Sequence, residues 1–117
     1  MSYRKGLKKQ FDPVAAQLGF TLHAEYTRSH GAPIYTSADV QDIVEISKGR
    51  MISPGLTMYL RTRRRRKNNA TSLGRLAPWL SDIGYVYFPN DPDSERAAKV
   101  LAEVLAKEGM EWFRSKG

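Results

Sequence analysis

Hydrophobic positions along the chain change period several times, and each change marks an expected element. Leu7, Phe11, Val14 and Leu18 recur at helical spacing, and Gly19 follows as a natural stop. Pro13 removes one backbone donor inside that run. The helix therefore either passes through it or begins afresh with Asp12 as cap and Pro13 at the first helical position. From Phe20 the pattern becomes alternation: Phe20, Leu22, Ala24 and Tyr26 share one face, and Thr21, His23, Glu25 and Thr27 the other. A half-buried strand is expected there.

Residues 29–39, with Gly31, Pro33 and several small polar side chains, read as a loop, although Ile34 and Tyr35 could extend either neighbouring strand. A second strand is expected over 40–48, a hairpin connection over 49–54, and a third strand whose core face is Leu56, Met58 and Leu60, opposite Thr57, Tyr59 and Arg61. The alternation fails beyond Arg61, so the chain must leave the core there, as a projecting strand end or as a mobile loop through Asn68 and Asn69. Leu73, Leu76, Ala77, Trp79 and Leu80 suggest a short helix interrupted by Pro78, and residues 83–88 a fourth strand.

The last helix has the clearest signals. Asp91 can cap it, Pro92 suits its first position, Asp93 and Glu95 complement the positive end of its dipole, and Ala97, Val100, Leu101, Val104 and Leu105 form an apolar stripe. Gly109 lies where such a helix usually ends, with Trp112 and Phe113 folding back over the sheet or continuing it. The order predicts a single α+β domain over 1–117: a mostly antiparallel sheet of about four strands with N- and C-terminal helices packed on one face.

Composition then narrows the chemistry. The chain has 117 residues, enough for one core, and no cysteine, which removes disulfides, thiolate metal sites and a cysteine nucleophile and fits a reducing cytoplasm. No stretch approaches the ~18–20 apolar residues of a membrane span, and the basic start is not followed by the apolar segment of a signal peptide. A cytoplasmic location without a membrane partner is expected.

The net charge is +7, and Arg61, Arg63, Arg64, Arg65, Arg66 and Lys67 place six positive charges within seven residues, so the rest of the chain sums to about +1. This exposed basic segment, 61–69, is the candidate anion-binding site. Guanidinium groups fork onto phosphate or carboxylate oxygens, and the asparagines add neutral hydrogen bonds; a solvated loop that keeps a hydrophobic strand soluble has the same composition. About six cations meeting duplex DNA would give a log–log salt slope near −5. Tyr59 shares the predicted face of Arg61 and could stack on a base, as could Tyr85 or Tyr87.

Catalytic signals are missing. His23 and His30 are the only histidines, one expected on a polar strand face and the other in a loop. Asp42 and Glu45 in one strand point to opposite faces, which argues against a metal site with Asp39. The run from Asp91 resembles a calcium loop, but Arg96 and Ala102 stand where glycine and glutamate are required. No phosphate-cradling glycine loop, nucleophile elbow or His-Glu-x-x-His motif occurs. No catalytic residue, metal or cofactor is assigned.

The Leu18-Gly19-Phe20 spacing after a first helix, the following strands and Gly109-Met110-Glu111-Trp112-Phe113 near the end resemble an uncharacterised bacterial family of small α+β domains of unknown function, some of whose relatives look like immunity proteins. The resemblance implies a binding role without catalytic residues. Two main readings stay open: a non-enzymatic module gripping an anionic partner, foremost a nucleic-acid backbone, and an immunity or inhibitor protein whose arginines meet an acidic protein surface. An enzyme acting on a phosphorylated substrate ranks behind both. Ordering of the segment only inside a phage or ribonucleoprotein particle is a fourth possibility. An open strand edge near Arg61 would also allow a homodimer.

Overall fold

A computed structural model of the chain describes residues 3–48, 55–80, 86–87 and 91–116. The expected hairpin connection at 49–54, Tyr85 and most of the expected strand over 83–88 lie outside the described residues. So do the side chains of Asp91, Pro92, Asp93 and Tyr87.

The first helix, α1, runs over residues 3–17 and contains one wider turn, Leu7–Phe11. There the Asp12 N–H reaches back five residues to the Leu7 carbonyl. Pro13 follows at once, and its ring would crowd the carbonyl four residues earlier; the widened turn relieves that conflict without breaking the helix. Of the two expected versions the helix takes the first, passing through Pro13 with no fresh start capped by Asp12. Leu7, Phe11 and Ala15 are buried, and Gly19, at φ 91°, ends the segment in a conformation that favours glycine.

The sheet is antiparallel, with strands in the order β1 (Thr21–Leu22), β2 (Ile34–Thr36), β3 (Asp42–Lys48), β4 (Gly55–Thr62) and β5 (Asn69–Ser72). A two-residue strand β6 (Val86–Tyr87) also pairs with β4, beside Gly55 and Leu56. The class and the placement of the terminal helices are as the sequence predicts, and the strand count is somewhat higher. Ile34 and Tyr35 form a strand of their own, β2, instead of extending a neighbour.

The expected strand over 20–27 is largely replaced by a helix. Only Thr21–Leu22 pairs, and α2 (Ala24–His30) follows. His23 caps it: its Nδ1 accepts the Tyr26 N–H at 3.2 Å, and its ring stacks on Tyr26 at 3.9 Å. At the other end Gly31, at φ 71°, donates its N–H to the Thr27 carbonyl. The alternation misled because Leu22 and Ala24 are exposed; Phe20 alone of that face enters the core.

After β5 come the one-turn helix α3 (Leu73–Leu76), which stops before Pro78, and the long α4 over residues 91–116. Gly109 does not end α4. It lies in a widened turn, Leu105–Gly109, and the helix continues to Lys116. A Cβ at 109 would come within 2.9 Å of Leu105 Cδ1 and 3.4 Å of Leu60 Cδ1, so the missing side chain lets α4 press against β4. Trp112 and Phe113 accordingly continue the helix, and Phe113 meets Phe20 at 5.3 Å.

Both long helices cover one face of the sheet. Val44, Ile46, Leu56, Met58 and Leu60 come from below, and Leu7, Phe11, Leu101 and Leu105 from above. Among the described residues no long helix covers the other face, which α2 borders. Leu60, fully buried at the centre, should lose about 2–5 kcal/mol of stability on truncation. Urea unfolding of Leu60→Ala checks this against Leu22→Ala, which removes a half-exposed side chain and should change stability by under about 0.5 kcal/mol.

Candidate functional site

The basic segment forms the end of the β4–β5 hairpin. Thr62 pairs with Asn69 in the β4–β5 ladder, and the register carries on to Arg64 and Lys67, leaving Arg65 and Arg66 as a two-residue turn. The Lys67 N–H closes it on the Arg64 carbonyl at 3.2 Å. Arg65 and Arg66 have φ 59° and 60°, positive at both central positions as a type I′ hairpin turn requires. Asn-Gly is the usual choice there, because a side-chain-bearing residue in this left-handed region costs about 1 kcal/mol or more. Two arginines therefore occupy the two positions of the hairpin least suited to them.

Arg64 differs from its neighbours. It lies on the helix-covered side with Leu60 and Thr62, and its guanidinium is forked onto two carboxylates. Nε is 3.1 Å from both Asp42 oxygens, Nη2 is 3.0 Å from Asp42 Oδ2, and Nη1 is 2.9 Å from Asp39 Oδ2. Thr62 Oγ1 donates to Asp42 Oδ1 at 2.7 Å, and the Arg63 N–H donates to the Gln41 carbonyl at 2.9 Å. The β2–β3 turn is thus tied to the base of the arginine hairpin. Within that turn Val40 is held at φ 57°, an unusual conformation for a β-branched residue, with its N–H on the Ser37 carbonyl.

The electrostatics follow this geometry. A hydrogen bond from the Ser37 hydroxyl, then the bonds from Arg64 and from the Gln41 N–H, hold the Asp39 carboxyl down at about 2. Asp42 and then Asp39 push the Arg64 guanidinium above its already high value. Unlike the other arginines expected to bind an anion, Arg64 already has both Asp39 and Asp42 on its guanidinium. Among the described residues no group of three histidines or carboxylates could hold a metal ion.

Arg61, Arg63, Arg65, Arg66 and Lys67 are exposed, and none makes a salt bridge among the described residues. Arg61 and Arg63 alternate with Leu60 and Thr62 and so project from the open face, where Arg61 stands opposite Ile43 and Ala70. With Asn68 they line a recess of about 270 Å³. Tyr59, 41% exposed, lies two residues before Arg61 on this face and opposite Glu45.

No protein family, curated protein or solved structure matches the chain.

A larger cleft of about 410 Å³ continues from the recess across the open face. Its floor includes Ile34, Ile43, Glu45 and Tyr59, and Tyr26 and His30 of α2 form one wall. The sequence reading did not find that wall. The signal was present as helical spacing, because His23, Tyr26 and His30 are three and four residues apart, but it competed with the alternation through Tyr26. His30 Nδ1 lies 3.0 Å from the Tyr26 carbonyl, which can only accept, so the ring nitrogen donates. Each histidine thus has a structural partner within α2. Arg61 is also not on a sheet edge, because β5 covers β4 there; among the described residues the outermost strand on that side is β5. Among the described residues no helix is long and apolar enough to cross a membrane.

Because the folded-state pKa of Asp39 is lowered, its contribution to stability is complete above about pH 4 and is lost as the pH falls through about 2. Carboxyl NMR titration should place its midpoint near 2, with Ser37→Ala and Arg64→Ala each raising it toward the ordinary aspartate value.

Proposed function

We propose that the protein is a non-enzymatic binding module that grips a nucleic-acid backbone through the β4–β5 hairpin. The observation that carries this reading is the pair of arginines in the left-handed positions of the turn. Folding alone favours Asn-Gly at those positions, and neither arginine forms an ion pair among the described residues. A conformational cost retained at an exposed, charged tip points to a role outside the fold. Arginine rather than lysine suits phosphate, because its planar fork donates two parallel hydrogen bonds to a pair of oxygens.

The geometry alters the expected strength of the electrostatic term. With Arg64 committed to Asp39 and Asp42, five cations remain, so the salt slope on duplex DNA should be near −4.5 and on a single strand near −3.5. Binding of the backbone would be largely independent of sequence, because phosphates carry no base information.

Replacing the turn, Arg65→Asn with Arg66→Gly, separates function from folding. Stability should rise by about 1 kcal/mol in urea unfolding. Affinity for random oligonucleotides should fall at least tenfold at low salt, with the slope reduced by nearly two on duplex DNA. If the wild-type protein binds no oligonucleotide at low salt, the nucleic-acid reading is wrong and an acidic protein surface, as an immunity or inhibitor protein would meet, becomes the partner to seek.

A further inference from the structure

We infer that the cleft on the open face of the sheet receives an unpaired base, so that the preferred ligand is single-stranded nucleic acid rather than duplex. This rests on the nucleic-acid reading of the hairpin and adds the class of ligand. Tyr59 and Arg61 project from one face of β4, spaced about 7 Å apart, and Arg63, just beyond the strand, lines the same cleft. That spacing is on the scale of consecutive nucleotides in an extended strand. A chain lying along β4 can place a base against Tyr59 and the next phosphates on Arg61 and Arg63.

The two ends of the cleft differ in charge, which sets the polarity of this arrangement. Glu45, directly opposite Tyr59 in the ladder, repels phosphate from the aromatic end, while Arg61 and Arg63 attract it at the other. The Glu45 carboxylate accepts from the Ser47 hydroxyl at 3.1 Å through one oxygen and can also accept from amino groups on a base edge. Ile34 and Ile43 give the floor an apolar surface, and Tyr26 adds an aromatic wall. A volume of about 410 Å³ lies within the range of small-ligand sites and suits a base with part of its sugar. A duplex keeps its base faces stacked inside and offers this cleft phosphates and groove edges but no ring to lie against Tyr59.

The test compares a labelled mixed-sequence oligonucleotide with its duplex at one salt concentration, using wild type, Tyr59→Leu and Tyr59→Phe, each checked for folding by circular dichroism. The single strand should bind at least tenfold more tightly than the duplex. Tyr59→Leu should weaken single-strand binding about tenfold and leave duplex binding unchanged, and Tyr59→Phe, which keeps the ring, should restore it. Equal binding of both forms, or no effect of Tyr59→Leu in a folded protein, overturns the cleft assignment and leaves the hairpin reading standing. Absence of binding to either form overturns both.

Discussion

Arg64, forked between Asp39 and Asp42, is the contact on which the arrangement of the proposed binding surface depends. A cluster of like charges at a hairpin tip repels itself, and a two-residue turn with both central positions left-handed gives it no conformational help. One arginine turned inward offsets this at the base of the hairpin. It neutralises the largely shielded carboxylate of Asp42, whose side chain is 13% exposed, and ties the β4–β5 hairpin to the β2–β3 turn. The remaining cations are then held on a fixed platform, which lowers the ordering cost a mobile arm would meet on binding. Arg64 is bonded to both carboxylates, while the other cations of the segment make no salt bridge among the described residues.

The two faces of the sheet divide the remaining work. α1 and α4 bury the even-numbered positions of β4, Leu56, Met58 and Leu60, and close one layer of core. The odd-numbered positions face the open side, where Thr57 is buried and Tyr59 and Arg61 are exposed. Gly109 joins the two layers: its missing Cβ brings α4 against Leu60, which lies between the two strand positions that present Tyr59 and Arg61. The rigidity of the open face is inherited from the packing behind it.

Much of this was legible from pattern alone. β4 and α4 were readable because propensity, period and capping agreed. α2 was not, because Phe20, Leu22, Ala24 and Tyr26 alternate without sharing a buried face, and the cap supplied by the His23 ring has no common sequence signature. The helix breakers at Pro13 and Gly109 were overridden by widened turns, a device that tertiary packing selects and local composition does not announce. Within the basic run nothing marked Arg64 as the inward member, because the alternation fails beyond Arg61, and Arg63, at φ −113° and ψ 14°, already leaves extended backbone. Naming its partners required the Asp42–Thr62 register, which follows from the length of a connection and not from side-chain type.

On the proposed function, nucleic acid engages the open face and the hairpin tip while the Arg64 clasp stays closed. The most direct measurement is an NMR titration of isotopically labelled protein with a short single-stranded oligonucleotide, following backbone amides and arginine Nε–H groups together. The account predicts shifts concentrated at 59–70 and at Tyr26 and His30, with the Arg64 Nε–H resonance nearly unmoved beside large changes at Arg61 and Arg63. Shifts centred on α1 and α4, or an Arg64 resonance that moves with the others, would contradict it.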